Sequence, residues 1–162
     1  MCTHLLQILE DKELNMLTKL LPDQISKFWP VIKYAVEESL PPTVGEHSDK
    51  MNRVLSAMLC GKLEVWISYK RNENDTKIEA VLVTQFLYDE ASNTKNLLLY
   101  CLYGYSVISN ESWAEGFEAI SKYAKAEGCS EVLAYSANED VVSMSKKFGA
   151  DTSFTFISFK IV

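Results

Sequence analysis

Apolar residues recur at helical spacing along the first third of the chain, and at strand spacing after it. Leu5, Leu6, Ile8, Leu9, Leu14, Leu17 and Leu21 trace one broad apolar face, which predicts a helix over residues 1–21. Ile25, Phe28, Trp29, Ile32 and Val36 predict a second helix from near Asp23, ended by Pro41-Pro42. Pro30 falls inside that pattern, so a kink or a boundary is expected there. Met51, Val54, Leu55, Met58 and Leu59 predict a third helix from about Ser48 to Leu59, stopped by Gly61. Core packing is the simplest use of these stripes, and a cofactor groove is the alternative.

The period then shortens to two. Leu63, Val65, Ile67 and Tyr69 alternate with Glu64, Trp66, Ser68 and Lys70, and a polar turn at residues 72–75 leads into a second strand, Ile78 to Tyr88. Residues 90–93 turn again into Asn96–Gly104, which is apolar on both faces and so suits a central strand covered on both sides. A helix is expected to open near Ser112, whose spacing to Glu115 fits a capping box. Its buried stripe is Trp113, Phe117, Ile120 and Ala124, and Gly128 stops it. Glu131–Ser136 reads as a short strand. Asn138 reads as the N-cap of a helix through Phe148, closed by Gly149, and Phe154–Ile161 alternates as a final strand. The predicted class is α/β: a central mixed sheet flanked by helices.

Composition narrows the function classes. The 162 residues are 48% apolar and 23% charged, which fits one globular domain with a real core. A net charge of −6, with scattered Lys and Arg, argues against nucleic-acid and anionic-membrane partners. No apolar run approaches the ~20 residues of a membrane span, and the N-terminus lacks a signal-peptide pattern, so a cytoplasmic location is expected. Cys2, Cys60, Cys101 and Cys129 lack metal-ligand spacing, and His4 and His47 lie far apart; reduced thiols, solvated histidines and no metal are the expectation. No Walker loop, GxGxxG, HExxH or GxSxG is present.

The motif that carries most is Tyr123-Ala124-Lys125-Ala126-Glu127-Gly128-Cys129, followed by Asn138 and then by Phe148-Gly149. In this element order it resembles the acyl-CoA-binding half of the GCN5-related N-acetyltransferase (GNAT) family. The resemblance covers about residues 23–161, is motif-specific in 96–150, and is similar in style to acetyltransferase-like proteins of tailed phages. Two departures are visible: Ala150 stands where the family usually has an aromatic, and the family's first strand is not evident. The resemblance implies a GNAT-like domain over 23–162, preceded by an N-terminal helical extension over 1–22. That helix either covers the sheet or joins copies into a homo-oligomer.

The resemblance also implies where acetyl-CoA would sit: between the two parallel strands and against the following loop. The implied cofactor positions are Leu102, Tyr103, Ile108, Ser109, Asn110, Glu111, Ser112, Trp113 and Asn138. In the family an Arg or Gln, then Gly, then Gly or Ala bring backbone amides onto the pyrophosphate; Ile108, Glu111 and Trp113 hold those places here. Small residues are needed for that approach. Glu111 and Glu115 would set carboxylates against phosphate, and no Lys or Arg lies between Lys95 and Lys122. A Glu in a first helical turn is equally explained by the helix dipole. The family's tyrosine acid falls at Ser145, a poor proton donor. Tyr103, Tyr105 and Tyr135 could substitute, although buried strand tyrosines are also ordinary core residues. Glu79 could deprotonate an amine, but a solvated strand face accounts for it more simply. The expectation is a retained fold with a degenerate acetyl-CoA site, acting through protein–protein contacts in a phage virion or host cytoplasm. The alternative is an active acetyl-CoA-dependent N-acetyltransferase.

Overall fold

A computed structural model describes residues 17–72 and 75–162. One five-stranded sheet runs in the order β1 (Leu17–Lys19), β2 (Glu64–Asn72), β3 (Asp75–Asp89), β4 (Thr94–Gly104), β5 (Val132–Ala134). The first four are antiparallel neighbours, and β5 pairs parallel to β4. Helices α1 (Pro22–Lys27), α2 (Trp29–Glu37) and α3 (Lys50–Leu59) precede β2; α4 (Asn110–Ala126) and α5 (Glu139–Lys147) flank β5 in sequence. The expected mixed sheet with flanking helices is therefore present.

The helix expected over residues 1–21 does not reach its end. Residues 1–16 lie outside the described residues, but Leu17–Lys19 is a strand paired with β2, and Leu20 N–H donates to the Val65 carbonyl at 2.8 Å. The first strand of the resemblance, which the sequence did not reveal, is thus at Leu17–Lys19. The second predicted helix is two. The chain breaks at Phe28 (φ −99°, ψ 11°), and Pro30 sits in the first turn of α2, where a missing N–H costs nothing.

Each face of the sheet has its own core. Leu63, Val65, Ile67, Val81, Val83 and Cys101 pack with Ile25, Ile32, Val36, Val54 and Met58 of α1–α3. Trp66, Leu82 and Leu97 pack with Ile120 and Ala124 of α4. This is the alternation read from β2 and β3, with helices covering both faces. The indole N–H of Trp66 donates to Thr84 Oγ1 at 3.0 Å, satisfying both buried polar groups.

Two β-bulges interrupt the alternation. Ser68 pairs with Ala80 but Tyr69 with Ile78, so Glu79 is the extra residue in β3. Val83 pairs with Cys101 but Thr84 with Leu99, so Tyr100 is the extra residue in β4. A bulge re-aims side chains locally. Below the first, Ile78 joins the α1–α3 core instead of continuing the parity of Val81 and Val83.

One polar network ties α4 to the far edge of the sheet. Tyr123 O–H donates to Glu64 Oε2, and Lys19 Nζ meets the same oxygen at 2.8 Å. Burial, then the Glu64 hydrogen bond, pushes the Tyr123 phenol well above its ordinary value of about 10. A raised phenol favours the neutral form in the folded state. Its stabilisation is therefore complete below about pH 10 and is lost as pH rises through the folded value. Tyr123→Phe is expected to flatten the alkaline loss of stability, read as urea midpoints at about pH 8 and pH 11. An unchanged alkaline slope would contradict this role.

Candidate functional site

The site expected from sequence lies where β4 and β5 part. Their pairs run Leu97–Val132, Leu98–Leu133 and Leu99–Ala134, and then stop, while β4 continues to Gly104. The bulged Tyr100 is the next residue of β4. A bulge bends its strand and ends regular pairing, so it accounts for the parting at this point.

Beyond β4, residues 105–109 fold back tightly. A Cβ on Gly104 would come within 3.2 Å of the Ile108 side chain and of the Ser106 carbonyl. Ile108 therefore packs back on the strand end, at the position where the resemblance expects an Arg or Gln.

The cap of α4 is Ser109, three residues earlier than the sequence expectation of Ser112. Ser109 Oγ accepts the Ser112 N–H at 3.1 Å and donates to Ser112 Oγ at 3.0 Å. Ser112 Oγ in turn donates to Glu79 Oε2 at 3.0 Å. Ser112 is buried, and Glu79 is 4% exposed. The solvated strand face expected for Glu79 is therefore wrong. As the extra residue of the β3 bulge, Glu79 is turned beneath the first turn of α4.

The remaining candidates are distributed as follows. Asn110 and Glu111 are exposed in the first turn of α4 and Trp113 is half-buried. Leu102 packs against the Trp66–Leu97–Ile120 core. Asn138 spends its side-chain oxygen capping α5, accepting from the Asp140 N–H at 2.9 Å and the Val141 N–H at 3.3 Å. Ser145 donates to the Val141 carbonyl within α5.

Two of the three candidate tyrosines are engaged by α2. Tyr105 O–H donates to the Val31 carbonyl at 3.1 Å. The Tyr103 ring meets Tyr34 edge-on at 5.7 Å and Tyr105 at 5.1 Å. A hydrogen bond with Tyr34, and then burial, raises the Tyr103 phenol; burial, and then Tyr34, raises Tyr105. Both stay protonated at neutral pH. Tyr135, at the end of β5, stacks edge-on against Phe156 at 5.4 Å. Behind β4, burial pushes the Cys101 thiol up to about 12, so it is no nucleophile. Among the described residues no cluster of His, Cys, Asp and Glu side chains is placed to hold a metal ion, and no helix is long and apolar enough to cross a membrane.

The parted parallel strands, the helix that starts beside them and the antiparallel β1–β4 sheet are together the GCN5-related N-acetyltransferase fold. A predicted acetyltransferase of Clostridium acetobutylicum with acetyl-CoA superposes with a TM-score of 0.62 at 16% identity, over 89% of this chain and 94% of that one. A ribosomal-protein-alanine N-acetyltransferase of Brucella melitensis biovar Abortus gives 0.61 at 9% identity, over 90% and 99%. A GNAT family acetyltransferase of Staphylococcus aureus gives 0.58 at 11% identity, over 90% and 97%. No protein-family sequence model matches the chain, and no curated protein matches it in sequence. At these identities the likeness establishes the fold, and the chemistry must be argued from the residues.

The residues fit acetyl-CoA poorly at the point where its pyrophosphate would be held. A helix N-terminus binds phosphate through unspent amides and positive potential. Here the Ser112 amide is spent on Ser109, and a buried carboxylate lies one hydrogen bond from Ser112. Glu111 adds a second carboxylate to the same turn.

Proposed function

We propose that this chain is a GNAT-fold protein whose acetyl-CoA site has become a closed helix cap, and that it works through protein–protein contacts. One observation carries the reading: the Ser109–Ser112–Glu79 hydrogen-bond chain, which spends the Ser112 amide on the protein's own oxygen atoms and sets a buried carboxylate behind the α4 N-terminus. Like charges in a poorly solvated site repel by several kcal/mol at worst, so a carboxylate already there disfavours a phosphate. An exposed apolar patch supports the contact role. Val31, Tyr34 and Tyr105 are each more than a third exposed, and Tyr105 is bonded to Val31.

A second reading, an active N-acetyltransferase, draws on the parting of β4 and β5 at the Tyr100 bulge. One structural neighbour carries acetyl-CoA, so binding in that gap is plausible. Tyr103, Tyr105 or Tyr135 would then protonate the departing thiolate. The Tyr105 hydroxyl is committed to α2, which weighs against it.

Turnover separates the two. Acetyl-CoA is incubated with the protein and a panel of primary amines, including peptide N-termini and an aminoglycoside, and released CoA is quantified by chromatography. The expected result is release no faster than protein-free hydrolysis. Protein-dependent release with any amine would overturn the proposal.

A further inference from the structure

The sequence predicts a final strand over Phe154–Ile161, and the structure shows none: residues 151–162 pair with nothing in the sheet. Gly149, at φ +87°, ends α5, and the Ser153 amide closes a short turn on Asp151. The tail then leaves the domain with its apolar side chains in water. Phe154, Ile157, Phe159 and Ile161 are 83%, 71%, 84% and 95% exposed. One charged side chain, Lys160, lies beyond Asp151.

The alternation along the tail is apolar on both faces: Phe154 and Phe156 on one, Ile157, Phe159 and Ile161 on the other. Such a strand needs a neighbour for its backbone and cover for both sides. The domain has a matching vacancy. Among the described residues β5 pairs with β4 alone, so its outer edge offers unpaired N–H and C=O groups. Just beyond β5, Tyr135 is about two-fifths exposed, and no residue of α5 is fully buried. Phe156 already meets Tyr135, yet no ladder forms between the tail and its own β5.

We propose that two copies of this chain exchange their tails, residues 152–162 of each adding as a sixth strand to the outer edge of the other's β5. Among the described residues each copy carries an unpaired tail and an unpaired outer edge on the adjoining β5, so a two-fold exchange satisfies both and closes on itself. The tail's near neutrality removes the electrostatic cost of bringing this segment onto a second acidic chain. The inference rests on the tail and the β5 edge, and it stands whether or not the α4 N-terminus holds a ligand.

Light scattering of the full chain tests it. The expected mass is twice the 18.4 kDa of one chain. Truncation after Asp151 should return a single-chain mass with its circular dichroism retained. Should truncation unfold the protein, Ile157→Pro is read instead; it keeps the tail but removes a ladder donor, and should shift the mass to one chain at the same concentration. A single-chain mass for the full protein would overturn the proposal, including one with tail amides protected from exchange, which would place the tail on its own β5. So would a dimer that survives truncation, or one that survives Ile157→Pro where that variant is the one read.

Discussion

Replacing Glu79 with alanine is expected to lower the free energy of unfolding by about 1–3 kcal/mol, the range for stranding a buried hydrogen-bonding group. Glu79 is buried, and its carboxylate accepts from Ser112, which also bonds Ser109 at the cap of α4. Removing it leaves the Ser112 hydroxyl without its acceptor, next to a helix end that must still be held against β3. Glu79→Gln keeps an acceptor oxygen and should cost much less. The two readings of the site diverge here. A carboxylate retained for chemistry is commonly held at a cost in stability, so its removal stabilises the fold. A structural cap member behaves oppositely. Urea unfolding of both variants decides it: Glu79→Ala equal to or more stable than wild type would contradict the cap.

Removing charge and bulk around the cap should create binding. The variant Glu79→Gln, Glu111→Gly, Trp113→Ala removes two carboxylates and one bulky ring from the first turn of α4 while leaving Ser109 in place. Acetyl-CoA is expected to bind it saturably with a dissociation constant of about a millimolar or tighter, worth roughly 4 kcal/mol or more. The glycine alone costs about 1 kcal/mol of helix stability, so the variant is first shown to be folded by circular dichroism. A folded variant without measurable binding would mean that these side chains are not what closes the site.

What the sequence revealed, and what it hid, follows from the range of each signal. Local signals read well. Asn138 caps α5 as expected, and Gly128 and Gly149 take the positive φ that ends a helix. The helices from Trp29 and Lys50, and strands β2 to β4, follow their periodicities. The signals that failed depend on distant partners. Leu14, Leu17 and Leu21 keep helical spacing, yet Leu17–Lys19 is held as a strand by β2, nearly fifty residues on. Ser112 with Glu115 matches a capping box by spacing, but Ser109 caps α4 with no Glu or Gln at the third position to signal it. The tail has strand alternation, but alternation names no partner, and among the described residues of its own chain it finds none.

The bulges were the costliest omission. Period-two reasoning assigns Glu79 by counting along an unbroken strand, and one extra residue reverses the count. No residue type marks the bulge at Glu79 or at Tyr100. The first turns Glu79 under α4 and the second ends the β4–β5 pairing. Ile108, Glu111 and Trp113 are placed by counting back from Gly128 on the family resemblance. The burial of Glu79 beneath the same helical turn depends on the bulge, which that count does not contain.

We propose that the N-terminus of α4, capped by Ser109, Ser112 and Glu79, holds no pyrophosphate. Calorimetric titration of acetyl-CoA into the full wild-type chain, at moderate salt and up to millimolar ligand, tests it most directly. No saturable heat is expected. A saturable isotherm with one acetyl-CoA per chain, persisting as salt is raised, would contradict it.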